Sequence, residues 1–211
     1  MNTSEFLNIT TLIAPERTAI VFDGKRITYA RLSDRVNRLS NVLAEMGVSG
    51  GDRIAMMQVN CNEHIEAYFA AAKLDAVYVP LNFRSSSEEI RYMLSDALPK
   101  AIFAGKRYTE TIDGITEDIE GLDIRIVIDG HAEKWLEYES IIETVNSDER
   151  FPHDDEDALT MLMFTAGTTG VPKGVMLSHD SFSSYILSNV SPADLDIEEK
   201  NILTVPLYHI A

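Results

Sequence analysis

Between residues 53 and 128 the chain alternates short apolar runs with stretches of helical periodicity, and that alternation leaves few folds open. Residues 53–58, 77–81, 101–104 and 124–128 are apolar at almost every position rather than at every second one. Runs this short and this continuous read as strands buried on both faces. Helix signals lie between them. Asn62 is placed to cap a helix reaching about Leu74. Ser86 and Glu89 form a capping-box pattern ahead of Ile90, Met93, Leu94 and Ala97. Tyr108, Ile112, Ile115 and Ile119 mark another helix, weakened by Gly114. Strand–helix–strand units of this kind make an α/β fold with largely parallel sheets covered by helices on both faces.

The flanks fit around that centre. Residues 18–28 read as a hairpin turning at Asp23-Gly24. A helix follows over residues 29–46, its stripe of Leu32, Val36, Leu39, Leu43 and Met46 stepping by four and three before Gly47 stops it. Residues 135–145 are a further helix candidate. Residues 159–164 read as a buried strand and 174–177 as a second short one. Ser178 is placed to cap a helix through Val190, and residues 202–205 are expected to form a final strand. The expected organisation is a partial first subdomain over residues 1–50, hairpin plus helix, and an α/β subdomain over 51–211. No internal repeat or low-complexity segment occurs.

Charge and cysteine content narrow the function. The formal net charge is −16, which argues against nucleic acid or an anionic membrane as partner. The single cysteine, Cys61, allows no intramolecular disulfide, as expected of a cytoplasmic protein. No motif supports Cys61 as a nucleophile. Residues 1–8 lack the pattern of a signal peptide, and the most apolar stretch, 65–81, is broken by Glu66, Lys73 and Asp75, so no transmembrane segment is expected. His64, His131, His153 and His179 have no ligand partner at metal spacing, and the acidic run 154–157 reads as a solvated loop; no metal ligand is assigned.

The chemistry concentrates in residues 164–174, FTAGTTGVPKG. Glycines let backbone N–H groups approach an anion closely. Thr165, Thr168 and Thr169 add hydroxyl donors, and Lys173 adds a flexible point charge suited to phosphate oxygens. A Walker loop needs Gly directly before Lys and Ser or Thr directly after. Here Pro172 and Gly174 flank Lys173, and the loop joins two strands, which sets kinases and P-loop ATPases far back.

These residues resemble the phosphate-loop signature of the adenylate-forming, AMP-binding superfamily: acyl-CoA synthetases, luciferases and the adenylation domains of peptide synthetases. The usual form there is Ser/Thr-Ser-Gly-Thr-Thr-Gly-x-Pro-Lys-Gly, and Ala166 departs from it where Ser is commonest. Three more segments resemble the family's in order: Thr28-Tyr29 with Leu32; Ala76 with Pro80-Leu81-Asn82, where Asp75 replaces the usual Gly; and Pro206-Leu207-Tyr208-His209. The stretch from Pro80 to Arg84, with Glu88-Glu89-Ile90, is most similar to the fatty- and aromatic-acyl-CoA synthetases.

The resemblance implies a ligase that joins a carboxylic acid to ATP, releasing pyrophosphate, and passes the acyl group to coenzyme A, with Mg²⁺ accompanying the nucleotide. It implies ATP-phosphate contacts at Thr165, Ala166, Gly167, Thr168, Thr169, Gly170, Lys173 and Gly174, a catalytic clamp at Lys173, and a place for His209 beside the carboxylate substrate. The family's adenine- and ribose-binding segments, acidic magnesium ligand and C-terminal lid are not among these residues. The expectation is therefore an N-terminal fragment, inactive alone in the full reaction, with exposed apolar surface favouring a homo-oligomer. Transfer to a carrier-protein thiol, or a non-catalytic nucleotide- or partner-binding half-domain, are the alternatives.

Overall fold

The computed structural model describes residues 1–116, 119–153, 155, 157–165, 172–190 and 200–209. It opens with α1 (Ser4–Ile13), a helix that the apolar pattern does not announce. Only Ser4 and Leu7 of its residues are buried, while Ile9, Leu12 and Ile13 are exposed. β1 (Thr18–Phe22) and β2 (Lys25–Thr28) then pair antiparallel. Asp23 and Gly24 between them both have positive φ, 47° and 72°, as a type I′ hairpin turn requires. α2 (Tyr29–Glu45) starts where the Thr28 side chain accepts the Arg31 N–H, and its stripe of Leu32, Val36, Leu39 and Leu43 is buried. Gly47 follows at φ 91°.

The central sheet is built from β3 (Arg53–Met57), β4 (Val77–Pro80), β5 (Ala101–Ala104), β6 (Ile124–Val127), β7 (Leu136–Glu137), β8 (Leu159–Thr165) and β9 (Lys173–Ser178). Its order is β7-β6-β5-β3-β4-β8-β9. Every neighbouring pair is parallel except β8–β9. The connecting helices are α3 (Asn62–Lys73), α4 (Ser87–Ala97), α5 (Lys106–Ile115), α6 (Tyr138–Ile142) and, after β9, α7 (His179–Asn189).

Side chains of successive strand residues point to opposite faces, and here both faces are covered. Ile54, Met56, Tyr78, Phe103 and Ile126 pack under α2, α3 and α6. Ala55, Met57, Val79, Ile102, Ala104 and Val127 pack under α4 and α5. That double burial is why the strand segments read as unbroken apolar runs. The capping box of α4 is formed in full: Ser86 accepts the Glu89 N–H, and the Glu89 carboxylate accepts the Ser86 N–H.

Three local expectations are corrected. Asn62 is the first residue of α3 rather than its cap; Cys61 occupies the cap position without a side-chain bond. The Asn62 amide instead donates to Glu66 Oε1 at 2.7 Å, a buried carboxylate that also receives Arg35 at 2.9 Å and the Tyr138 hydroxyl at 2.6 Å. Residues 135–145 form β7 and the short α6 rather than one helix, because Leu136 and Glu137 pair with Ile126 and Val127 at the sheet edge. Residues 202–205 form no strand; the backbone at 205 and 207 is taken by the Asn60 side chain instead.

Candidate active site

β8 and β9 make a hairpin whose ladder runs from Leu159↔Ser178 to Thr165↔Lys173. β8 is parallel to β4, and β4 to β3. The hairpin's loop therefore leaves the sheet at the same edge as Met57 and Pro80, the carboxyl ends of β3 and β4. In open α/β sheets ligands sit outside that edge, where the strand order reverses. Here the reversal is at β3, with β4 on one side and β5 on the other.

Thr165 and Lys173 face each other across the open end of the hairpin, both exposed. The Thr165 hydroxyl donates to the Lys173 carbonyl at 3.4 Å. A hydroxyl-bearing and an ammonium-bearing residue thus stand at the two roots of the loop. Gly174 has a packing reason as well: a Cβ there would come within 2.9 Å of Leu162 Cδ1. Ala166, Gly167, Thr168, Thr169 and Gly170 lie outside the described residues.

The segment ending at His209 docks on the same sheet edge. Asn60, three residues beyond β3, donates its amide to the Val205 carbonyl at 2.9 Å and accepts the Leu207 N–H at 2.8 Å. The buried Tyr208 ring meets Phe83 edge-on, with centroids 5.3 Å apart, and Phe83 lies just beyond β4. His209 is exposed beside Tyr208, its N–H bonded to the Pro206 carbonyl at 2.9 Å. The fold thus brings the Thr165–Lys173 pair and His209 to one edge. Asn60 and Phe83 position the second of these, and sequence reasoning missed both roles. Asn60 stands in no recognisable motif, and Phe83 shows its part only through its ring contact.

The other candidates are structural. His64 is buried; its Nδ1 accepts the Tyr78 hydroxyl at 2.6 Å and its Nε2–H donates to the Gln58 carbonyl at 3.0 Å. Burial pushes its pKa down to about 4. His131 pairs with Glu137, and His153 with Asp75. Burial, and then the nearby Glu63 carboxylate, push the Cys61 thiol well up, so it is not a nucleophile at neutral pH. Among the described residues no group of three His, Cys, Asp or Glu side chains is placed to hold a metal, and no helix is long and apolar enough to cross a membrane.

The family profile described as AMP-binding enzyme matches residues 12–211. The chain belongs to the AMP-binding enzyme family. It is similar to the indoleacetate–CoA ligase of Aromatoleum aromaticum, with 29% identity over all of this chain and 41% of that protein. It is similar also to the long-chain-fatty-acid–CoA ligase FadD13 of Mycobacterium tuberculosis, with 33% identity over 88% of this chain and 36% of that one. The N-terminal domain of FACL13 from Mycobacterium tuberculosis superposes with a TM-score of 0.84 at 30% identity, covering 99% of this chain and 52% of that structure. This AMP-binding chain therefore spans less than half the length of these two curated relatives.

Proposed function

We propose that this chain is the phosphate-handling part of an ATP-dependent acyl-CoA synthetase. In the reaction a substrate carboxylate oxygen attacks the α-phosphorus of Mg·ATP, and the bond to pyrophosphate breaks. The coenzyme A thiolate then attacks the acyl carbon, and AMP leaves with the electron pair of the broken C–O bond. Lys173 clamps the β- and γ-phosphates, stabilising charge as it develops on the leaving pyrophosphate. Thr165, Gly174 and the loop residues Ala166, Gly167, Thr168, Thr169 and Gly170 cradle the phosphates, and His209 lines the carboxylate side. Residues 51–211 carry this machinery; residues 1–50 contribute the hairpin and α2, which pack onto it. Transfer to coenzyme A is supported by the names of the two curated relatives, both of them CoA ligases. A cytoplasmic location belongs to the same reading.

The observation that carries the proposal is the Thr165↔Lys173 pairing at the carboxyl edge of the sheet. In a chain of net charge −16, a cation and a hydroxyl rooted on either side of a glycine-rich loop are a local exception that an anion would use. Calorimetric titration of the chain with Mg·ATP and with inorganic pyrophosphate tests it. Lys173→Ala is expected to weaken both by about tenfold or more, since a charge-assisted phosphate contact is lost. Equal affinities for wild type and variant would overturn the assignment.

A further inference from the structure

His179 is a buried histidine that touches the phosphate hairpin, and nothing in the proposed chemistry uses it. It is wholly buried and follows Ser178, the last residue of β9. Its own N–H donates to the Ala158 carbonyl at 3.1 Å, beside the start of β8. The ring reaches back to the other end of the chain. Nδ1 accepts the Thr3 N–H at 3.1 Å, and the Thr3 hydroxyl lies 3.1 Å from the same atom. Nε2 lies 3.2 Å from the Asn2 amide nitrogen.

The strap made by residues 2–4 is fixed on its other side. The Asn2 amide nitrogen donates to the Ala72 carbonyl at 3.2 Å, and its oxygen accepts the Ser4 N–H and hydroxyl at 2.9 and 2.8 Å. Tyr68 donates its hydroxyl to Thr3 Oγ1 at 2.9 Å. The strap is thus stitched to α3 and to His179 together. The hairpin's base, at Leu159 and Ser178, is tied down through this imidazole. Its open end, at Thr165 and Lys173, lies five residues along β9, about 17 Å away at strand rise.

We propose that His179 is a positioning residue for the phosphate hairpin: by accepting the Thr3 N–H it locks the hairpin's base to the N-terminal strap and so holds Thr165 and Lys173 in place for the phosphates. The inference rests on the reading of that hairpin as a phosphate site. The lock works only with a neutral ring. With Nδ1 accepting the Thr3 N–H, the neutral ring carries its one proton on Nε2, so an added proton can go only to Nδ1, where it meets the Thr3 N–H and removes the acceptor. Burial accordingly lowers the pKa of His179; Asp75 and Asp155 act in the opposite direction, and the chain's amino terminus adds to the lowering. Acidification protonates the ring, frees Thr3 and loosens the base of the hairpin.

The test uses the chain with two variants, His179→Asn, which keeps an acceptor near the Nδ1 position but does not titrate, and His179→Ala, which keeps none. Two readouts are followed between about pH 8 and about pH 5.5, a range spanning the ordinary histidine pKa: hydrogen-exchange protection of the β9 amides, corrected for intrinsic rates, and affinity for inorganic pyrophosphate. In the wild type, protection and affinity are expected to fall on acidification, by about tenfold if one buried hydrogen bond is lost. His179→Asn is expected to hold both nearly flat, and His179→Ala to show the loss at every pH. A His179→Ala chain with wild-type protection and affinity overturns the inference. So does a His179→Asn chain that tracks the wild type with pH, which decides the matter if the alanine variant fails to fold. If β9 protection follows His179 but the wild type binds no pyrophosphate, the lock stands as a brace of the hairpin, while its role toward phosphate falls together with the phosphate reading.

Discussion

At the scale of single residues, position 75 shows how a departure from the family pattern is accommodated. The resemblance places Gly there, and the backbone agrees, since Asp75 has φ 54°, a conformation that costs a side-chain-bearing residue about 1 kcal/mol relative to glycine. The Asp75 carboxylate offsets that cost by accepting both the His153 N–H at 3.0 Å and His153 Nδ1–H at 2.7 Å. A double-mutant cycle separates the two effects. Asp75→Gly alone is expected to stay within about 1 kcal/mol of wild type, whereas in a His153→Ala background, which removes the ring bond and keeps the backbone one, it is expected to be more favourable by a few tenths of a kcal/mol. Urea melts that show the same change in both backgrounds would remove the clasp.

His64 makes a pH prediction. Its folded pKa is about 4, below the value of about 6.5 for an unfolded histidine. The unfolded chain therefore binds the proton first. The stability His64 contributes is full above about pH 6.5, falls as pH drops toward about 4, and is constant below that. A shift of this size corresponds to about 3 kcal/mol. His64→Gln is expected to be less stable than wild type at neutral pH but to have a shallower acid limb in that window. An unchanged limb in denaturation curves across the window would assign the acid sensitivity to other groups.

At the scale of elements, legibility in the sequence follows from whether the stabilising contacts are local. α4 was legible because its start is written within four residues. Replacing Ser86 by Ala removes one half of the capping box and is expected to cost about 1 kcal/mol in a thermal or urea melt; a neutral substitution would mean that Glu89 alone suffices. α2 was legible from its stripe, and β3 to β6 from burial on both faces. α1 was not, because it buries no stripe. It is held by distant polar partners, such as the buried Lys73, which donates to Asn8 at 2.9 Å and pairs with Glu149. The stretch after Trp135 misled for the mirror reason: its helical periodicity is real in α6, but its first residues serve the sheet edge. Asn62 has the residue type of a cap and is used instead to hold the buried Glu66. Of the candidate site, the glycine, threonine and lysine pattern of residues 164–174 is what singles out the proposed phosphate loop in the sequence. The contact that ties their hairpin to Thr3 spans 176 positions, and no local pattern could have marked it.

At the scale of the whole molecule, and among the described residues, the parallel core is covered on both faces while β9 stands at one edge of the sheet. Among the described residues β9 is an edge strand, and Met176 on it is 67% exposed. On the helix that follows, Tyr185 and Leu187 are 65% and 70% exposed. An edge strand flanked by exposed apolar side chains is a pairing surface. Charge does not blunt it locally, since Lys173 and Asp180 stand at the ends of the run from 173 to 180 with only uncharged and histidine residues between them. The chain is therefore expected to self-associate with rising concentration despite its net charge of −16. Met176→Lys combined with Leu187→Lys places two cations on that surface. Exposed substitutions of this kind change stability by about 0.5 kcal/mol or less each, so the pair is expected to abolish association in sedimentation velocity while leaving the melt nearly unchanged. A wild type that sediments as a monomer at every concentration would show that this edge is adequately protected as it stands, and association that survives both lysines would move the contact to another face, with the exposed end of α1 at Leu12 and Ile13 the next surface to charge.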